Sequence, residues 1–199
     1  STSGTGTEGT DYATISDITI SAGATTGTAS FTPTDDSIYE GNETGIVAIS
    51  TVSGGSATED GTQSVTITIT ENETAPVVNL SASANTIAEN SGSSITLTAT
   101  LNFATIIDTD ITISTSGTAS EGTDYGTVAD ITISAGATTG TATFTPTDDS
   151  VYEGNETGIV AIDTVSGGSA TEDGTQSVTI TITENESAPT VTLATSATS

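Results

Sequence analysis

The sequence has no lysine, arginine or histidine, so its 26 acidic residues carry a formal net charge of −26 without any side-chain cation to balance them. A protein that binds nucleic acid needs Lys and Arg to neutralise phosphates. Attraction to an anionic membrane surface requires the same residues. The composition therefore excludes a nucleic-acid-binding protein and argues against direct contact with a membrane.

Cysteine, methionine and tryptophan are also absent. The lack of cysteine excludes disulfides, thiolate metal sites and cysteine nucleophiles. Carboxylates are the only remaining general bases, and a glycosidase would need one carboxyl group with a raised pKa. Acids gathered around a cation have lowered pKa values instead. We therefore expect a protein that is not an enzyme.

The chain is rich in threonine, serine and glycine, with 32% hydrophobic residues and 4% aromatic residues, which predicts a thin core. Only 13% of the residues are charged, and the mean hydropathy is −0.01. A disordered acidic tail would have more charge and fewer valines and isoleucines. The composition thus favours a folded protein.

The sequence repeats itself, and Asp11-Tyr12, for example, recurs as Asp124-Tyr125. Residues 1–86 and 114–199 differ at only 15 of 86 aligned positions, and every carboxylate of the first copy recurs in the second. We call the constant spacing between equivalent positions the repeat offset. We predict three segments: a partial repeat at 1–76 that lacks its first strands, a complete repeat at 77–189, and the first strand of a following repeat at 190–199.

Two interpretations account for the incomplete first repeat. The chain is expected to be a window on a longer tandem array, since near-identical copies are typical of such arrays. Alternatively, residues 190–199 complete the open first repeat of a neighbouring copy by strand addition. Strand addition would still leave the counterparts of residues 87–113 missing, so the first interpretation is favoured.

Apolar and polar residues alternate with the period of two that is typical of half-buried strands. Turn residues separate segments rich in β-branched side chains, and no segment predicts a helix. The predicted strands of one period are Val77–Ser81, Ser94–Leu101, Asp110–Thr115, Ala129–Ser134, Gly140–Thr145, Thr157–Thr164 and Gln176–Glu184. Seven short strands in one period predict an all-β fold, a tandem of immunoglobulin-like antiparallel β-sandwiches.

Four carboxylates lie within the nine residues from Asp148 to Glu156, between two predicted strands. Like charges this close repel one another unless a cation lies among them. Ca²⁺ accepts six to eight oxygen ligands from carboxylates and carbonyls, whereas an EF-hand would need flanking helices. The spacing therefore indicates a calcium loop that is not an EF-hand.

Further acids fall in turns that a sandwich would bring to the same end. The candidate metal set of the complete repeat comprises eight carboxylates: Glu89, Asp124, Asp148, Asp149, Glu153, Glu156, Glu184 and Glu186. The candidate set of the first repeat comprises seven: Asp11, Asp35, Asp36, Glu40, Glu43, Glu71 and Glu73. Isolated acids in turns are usually solvated surface. Because 15 of the 26 acids belong to these two sets, we expect calcium binding.

These motifs together resemble the Calx-beta domain, a repeat of sodium/calcium exchangers and of many large secreted or surface proteins. The resemblance covers the whole period and is carried, in order, by Ile87-Ala88-Glu89-Asn90, Ser116-Gly117-Thr118-Ala119, Gly122-Thr123-Asp124-Tyr125, Ile133-Ser134-Ala135-Gly136, Asp148-Asp149 to Glu156-Thr157, and Ile180-Thr181-Ile182 before an acidic tail.

The resemblance implies a seven-stranded sandwich with a calcium cluster at one tip. It implies that the ligands include Glu89, Asp124, Asp148, Asp149, Glu153 and Glu156, and that the Val151 carbonyl is a backbone ligand, with Ile38 in the equivalent place of the first repeat. The family's tail is commonly a run of Asp, whereas this chain has Glu184-Asn185-Glu186. We expect two to four Ca²⁺ ions per complete repeat.

Three functions are compatible with these sequence observations. The first is a structural repeat of an extracellular stalk, adhesin or filament, displayed at the cell surface, in which Ca²⁺ stiffens the junctions between neighbouring repeats and copies self-associate head to tail. The second is a regulatory calcium sensor, as in the exchangers. The third is a spacer for a tip elsewhere in the protein that binds carbohydrate or another cell's surface.

Overall fold

The computed structural model describes residues 1–196. The chain divides into two compact units, Ser1–Thr74 and Ala75–Ser199, named unit 1 and unit 2 below. Both consist of β-strands, which confirms the all-β fold class. Among the described residues, the helical structure is a single 3₁₀ turn, Glu89–Ser91, so none of them forms a helix that could span a bilayer.

Unit 2 is a sandwich of two sheets. Its strands are β5 (Val77–Ala82), β6 (Thr86–Ala88), β7 (Ile95–Leu101), β8 (Ala104–Thr105), β9 (Thr109–Gly117), β10 (Ile131–Ile133), β11 (Thr139–Phe144), β12 (Glu156–Ser166), β13 (Thr171–Glu172) and β14 (Ser177–Thr183). One sheet has the order β10-β9-β12-β14-β6, and the other has the order β11-β7-β5-β13. The inner faces of the two sheets enclose one core.

The core of unit 2 follows the period-two alternation of its strands. Val160 on β12 and Ile180 on β14 are fully buried from one sheet, and Val78 on β5 and Leu97 on β7 are fully buried from the other. Threonines occupy the intervening positions of β7 and β14 and stay exposed or half-buried. A long strand with β-branched residues on both faces thus buries its aliphatic face and hydrates its hydroxyl face.

All seven predicted strands are present in unit 2, and three short strands were not predicted. β6 and β13 differ from the expected arrangement, because β6 pairs with β14 and β13 pairs with β5 in parallel. Each sheet of the antiparallel sandwich is thus bordered at one edge by a parallel pair. A strand of two or three residues is too short to show alternation, so periodicity could not find it.

Unit 1 has four strands: β1 (Thr2–Gly4), β2 (Ile38–Tyr39), β3 (Glu43–Ala48) and β4 (Ser64–Ile69). Three of them form an antiparallel sheet in the order β1-β3-β4. At the repeat offset, they correspond to the end of β9, the first half of β12, and β14. Unit 1 thus contains the centre of one sheet of the sandwich.

The segments of unit 1 that match β10 and β11 are not strands. In unit 2, β10 pairs with the first residues of β9, and β11 pairs with β7. Residues 1–74 include no counterpart of β7 or of the first residues of β9. Ile18 and Ile20 are consequently 57% exposed, whereas Ile131 and Ile133, which match them in unit 2, are buried.

Candidate metal centre

Three carboxylates of unit 2 converge from a turn, a loop and the first residue of β12. Asp124, Glu153 and Glu156 each place one carboxylate oxygen within 4.8 Å of the others. The turn is held by hydrogen bonds in both directions between Ser120 and Asp124, with the Asp124 amide donating to the Ser120 carbonyl at 2.9 Å and the Ser120 amide donating to Asp124 Oδ2 at 2.6 Å. We call these three acids the loop triad of unit 2.

A second group lies where β6 and β14 end side by side. Glu89 follows β6 in the 3₁₀ turn, and Glu184 and Glu186 follow β14. One carboxylate oxygen of each lies within 4.8 Å of the others, and Glu89 is only 8% exposed. We call these residues the tail triad. The parallel pairing of β6 with β14 brings Glu89 to the acids that follow β14, because parallel strands end at the same edge.

One oxygen of the tail triad lacks any partner. Glu186 Oε2 is buried and has no hydrogen bond from any described residue. A buried carboxylate oxygen without a donor costs free energy that proteins rarely leave uncompensated. A cation between the three carboxylates would provide the missing partner. This oxygen is therefore the strongest structural indication that the tail triad holds a metal ion.

Glu184 also fixes the acidic loop. Its Oε2 accepts hydrogen bonds from the amides of Glu153 at 2.6 Å and Gly154 at 2.8 Å, and its Oε1 accepts one from the Glu186 amide at 2.9 Å. These bonds, led by that from Glu186, outweigh desolvation and lower the pKa of Glu184 to about 2. Glu184 therefore stays ionised and links the two triads through the backbone.

The four other glutamates of the two triads have raised pKa values. Burial is the main cause that raises the pKa of Glu89, Glu153 and Glu156, and neighbouring acids raise them further. The pKa of Glu186 is raised chiefly by its interaction with the Glu184 side chain, and then by desolvation. A divalent cation among these acids would favour their charged forms and lower the same pKa values.

Unit 1 repeats the loop triad with Asp11, Glu40 and Glu43, again with oxygens within 4.8 Å of one another. Burial and then the charges of Asp11 and Glu43 raise the pKa of Glu40 to about 7. The pKa of Glu43 is also raised, first by burial. The triad lines a cleft of about 130 Å³. Four more predicted carboxylates and one aliphatic residue line the same cleft: Asp35, Asp36, Glu71, Glu73 and Ile38.

Glu71 makes the same contacts with the acidic loop in unit 1 that Glu184 makes in unit 2. Its Oε2 accepts hydrogen bonds from the amides of Glu40 at 2.6 Å and Gly41 at 2.7 Å. Burial alone would raise the pKa of Glu71, but these bonds and one from the Glu73 amide lower it to about 2. The Glu71 side chain in turn raises the pKa of Glu73. The sequence has no counterpart of Glu89 in unit 1, and there the tail acids form no triad among the described residues.

Three predicted ligands of unit 2 lie beside the triads. The Asp149 amide donates to Glu89 Oε1 at 3.4 Å, and Asp149 Oδ1 accepts a hydrogen bond from the Val151 amide at 2.6 Å. Asp148 is close enough for its charge to raise the pKa of Glu89 and Glu186. The assignment of Asp148, Asp149 and Val151 as ligands stays a prediction.

Two neutral residues that were not predicted also organise the sites. Asn155 Oδ1 accepts a hydrogen bond from the Glu184 amide at 3.0 Å, and Asn42 Oδ1 accepts the equivalent bond from the Glu71 amide at 2.9 Å. Each amide side chain joins the acidic loop to the end of the last strand of its unit. Their recurrence at the same position of both copies, inside an acidic motif, was the available signal.

The sequence model of the Calx-beta domain matches residues 1–73 and again residues 71–187. The chain belongs to the Calx-beta domain family. Calx-beta domains bind calcium, and clustered carboxylates with an unpartnered buried oxygen fit Ca²⁺, a hard cation that takes oxygen ligands. In unit 2 the residues that would hold the ion are the loop triad and the tail triad; in unit 1 they are Asp11, Glu40 and Glu43.

Solved structures of Calx domains resemble the chain at low sequence identity. The crystal structure of the apo form of the Calx CBD1 domain is 20% identical, with a TM-score of 0.46 over 56% of this chain and 99% of that one. The structure of CBD12 from CALX1.2 is 20% identical, with a TM-score of 0.45 over 53% of this chain and 44% of that one. The calcium-binding domain CBD12 of CALX1.1 is 14% identical, with a TM-score of 0.36 over 82% and 65%. A comparison with curated protein sequences finds no match.

Proposed function

We propose that the chain is a non-catalytic structural repeat of an extracellular stalk, adhesin or filament, and that Ca²⁺ stiffens each repeat at its acidic tip. The observation that carries this proposal is the recurrence of one acidic site, at the repeat offset, in two near-identical copies. A sensor needs a site tuned within one or two divergent domains. A spacer needs many equivalent domains that are rigid under the same conditions.

The hydrogen bonds of Glu184 support a stiffening role for the ion. They join the loop triad to the segment that follows β14, from Glu184 through Glu186. A cation bound by Glu89, Glu184 and Glu186 would fix the residues that follow β14 before the chain continues. Ordering this segment turns a flexible connection into a stiff one, because a carboxylate that ligates a metal loses the freedom of a solvated side chain.

The charge of the chain supports a requirement for calcium. Without a cation, the chain carries a net charge of −26, and its acids are concentrated at the sites. Self-repulsion of this kind opposes compact and associated states. Two to four Ca²⁺ ions in the complete repeat would offset half or all of the charge on the eight carboxylates of its candidate metal set. The proposed location outside the cell suits such a site, since extracellular calcium modules bind their ions with a Kd of about 10⁻⁴ to 10⁻³ M.

Thermal unfolding of the 199-residue chain, from chelated to millimolar Ca²⁺, tests this function. A ligand that binds only the folded state must raise the melting temperature by mass action, by roughly 2.7 kcal/mol of added stability at a hundred times its Kd. Small-angle scattering on the same samples measures extension. A rise in melting temperature together with a longer, narrower particle supports a stiffened spacer. A rise without any change in the scattering profile supports calcium binding but contradicts the stalk.

A further inference from the structure

The acidic loop and the end of the last strand of unit 2 hold each other by hydrogen bonds in both directions. The amides of Glu153 and Gly154 donate to Glu184 Oε2 at 2.6 Å and 2.8 Å. In return, the Glu184 amide donates to Asn155 Oδ1 at 3.0 Å. We call these four residues the clasp of unit 2. Because each side supplies both a donor and an acceptor, neither side can shift without breaking bonds that the other makes.

The same clasp is present in unit 1. The amides of Glu40 and Gly41 donate to Glu71 Oε2 at 2.6 Å and 2.7 Å, and the Glu71 amide donates to Asn42 Oδ1 at 2.9 Å. The bond lengths of the two clasps are nearly the same. The clasp is therefore a recurrent feature of the repeat, in which the neutral residue always lies between the last two acids of the loop.

A glycine with positive φ lets two successive amides of the loop reach one oxygen. The φ angle is 82° at Gly154 and 77° at Gly41. A left-handed residue turns neighbouring N–H groups toward one point and makes a concave site for an anionic group. A Cβ at Gly154 would meet no atom within 4 Å, so the loop needs this glycine for its backbone conformation and not for space. The loop thus provides a receptor for the carboxylate of Glu184.

The clasp connects the two triads directly. Glu153 belongs to the loop triad, and Glu184 belongs to the tail triad. Asn155 immediately precedes Glu156, the first residue of β12 and another member of the loop triad. An ion that fixes Glu184 therefore fixes the acceptor of the loop amides. An ion that fixes Glu153 and Glu156 fixes the segment that carries the donors.

Asn155 supplies the return half of the clasp without belonging to either triad. Its side chain is exposed, so the core of the sandwich does not depend on it. An amide oxygen accepts a hydrogen bond without adding a negative charge to the surrounding acids. Replacing Asn155 therefore removes one link between the triads and leaves every carboxylate in place.

We propose that Asn155 is a positioning residue that couples the two triads, so that calcium at the tail triad makes the loop triad bind calcium more tightly. The proposal rests on the calcium binding described above. An ion held by Glu184 keeps the clasp closed, so an ion that enters the loop triad no longer bears the entropy cost of ordering the loop. The coupling is reciprocal, since each ion changes the affinity for the other by the same factor.

Repulsion between the two cations acts against this coupling. Burial is the main cause of the raised pKa values of Glu153 and Glu156, but the charge of Glu184 raises the first further and the charge of Glu89 raises the second. The triads thus sense each other's charge, and a first ion reduces the attraction for the next. This repulsion is the same with and without Asn155, because the residue is neutral. A comparison of the two proteins therefore isolates the clasp.

Calcium titrations of the 199-residue chain, followed by the NMR signals of backbone amides, measure the coupling. The Asp124 amide reports binding at the loop triad, and the Asp11 amide reports the triad of unit 1 as an internal reference. Glu186→Gln weakens the tail triad but keeps the backbone amide that donates to Glu184. With Asn155 present, this change should weaken binding at Asp124 by about 5-fold or more, the lower end of typical coupling between sites. Binding at Asp11 should not change.

Asn155→Ala should remove most of this coupling. In that background Glu186→Gln should weaken binding at Asp124 much less, because only charge then links the two sites. An equal loss of affinity in both backgrounds overturns the proposal. A wild-type chain whose Asp124 amide does not respond to calcium would contradict calcium binding itself, so the two failures are distinguishable.

Two further variants separate positioning from a general loss of stability. Asn155→Asp keeps an acceptor oxygen at the same place and should retain the coupling. Asn102→Ala removes a bond of the same kind, since Asn102 Oδ1 accepts from the Val77 amide at 2.7 Å. Asn102 follows β7, at the end of that strand opposite to the turn that contains Glu89, so its loss should leave the coupling unchanged. Equal loss of coupling in Asn102→Ala and Asn155→Ala would overturn the assignment of the link to the clasp.

Discussion

Glu184 accepts a hydrogen bond from the backbone amide of Glu153 at 2.6 Å, and Glu71 accepts the same bond from Glu40 at 2.6 Å in unit 1. In each unit, a carboxylate that follows the last strand thus holds the loop that carries the triad acids. Because the amides bind the ionised form, the same bonds lower the pKa of these two carboxyl groups and keep them charged well below neutral pH. Metal affinity should therefore depend on the loop anchor as well as on the number of carboxylates.

Glu184→Gln is expected to weaken calcium binding at unit 2 by about 10- to 100-fold, which is the usual cost of disturbing groups that orient metal ligands. The variant removes one negative charge and leaves one side-chain oxygen at position 184, instead of two, to accept hydrogen bonds from the backbone amides. Isothermal titration with Ca²⁺ measures the loss, and the intact triad of unit 1 serves as an internal reference. Asp163→Asn, which removes an exposed charge on β12, is the matched control. Equal affinity in the two variants would contradict an anchoring role.

Glu186→Gln is expected to change stability in opposite directions with and without calcium. Glu186 Oε2 is buried without a donor, and the interaction with Glu184 raises the pKa of Glu186. Without an ion, a neutral amide should raise the melting temperature because it removes an unpaired charge from the tail triad. With saturating Ca²⁺, the same change should lower it because a charged ligand is lost. The variant should therefore melt at a higher temperature than the wild type in chelator and at a lower temperature in calcium. A variant that is less stable in both conditions would show that the unpaired Glu186 Oε2 does not destabilise the calcium-free protein.

The calcium-free protein should lose stability as the pH rises from about 4.5 to about 7. The pKa of Glu40 is raised from 4.5 to about 7, and the pKa values of Glu89 and Glu156 are raised as well, with burial as the main cause. A carboxyl group whose pKa is higher in the folded state favours folding below its unfolded pKa, and this contribution is lost as pH rises through the folded value.

Glu71 and Glu184, whose folded pKa is about 2, act in the opposite direction and lose their contribution only as pH falls from 4.5 toward 2. Urea unfolding at fixed pH values with chelator measures the free energy of unfolding below and above pH 4.5. Glu40→Gln should reduce the loss of stability between pH 4.5 and 7. With saturating Ca²⁺, stability should instead rise over this range, because the ion needs ionised ligands. A calcium-free stability that increases between pH 5 and 7 would refute the assignment.

Much of unit 2 could be predicted because its strands are long enough to show alternation. Val178, Ile180 and Ile182 on β14 carry the period-two signal that led to the strand, and all seven such strands are observed. β6 and β13 have three and two residues, and what defines them is a partner far away in sequence. Their parallel pairing depends on tertiary packing, so no local pattern could reveal it.

The sequence could likewise predict which acids gather at one tip, but not how they divide into separate sites. Acids in turns of a sandwich gather at one end, which placed Asp124, Glu156 and Glu184 in one set. Their division into a loop triad and a tail triad depends on the pairing of β6 with β14, which brings Glu89 to Glu186. Unit 1 shows the same dependence on partners. Its sequence is almost the same as that of residues 114–187, yet Ile18 and Ile20 lie outside any strand and are exposed.

Gly158→Ala tests the packing beneath the loop triad of unit 2. Tyr125, which follows Asp124 of the triad, stacks on Phe144 with ring centroids 4.4 Å apart, and a Cβ at Gly158 would lie 2.7 Å from the Phe144 ring. The ring is fully buried and cannot move aside, so the added methyl group should cost about 1–3 kcal/mol of unfolding free energy. The expected displacement of the rings should also shift Asp124 and weaken calcium binding. Gly126→Ala is the control, since a Cβ there would meet no atom closer than 4.0 Å. Urea unfolding and calcium titration of both variants measure the two effects, and a Gly158→Ala protein as stable as Gly126→Ala would show that the aromatic pair is not tightly packed.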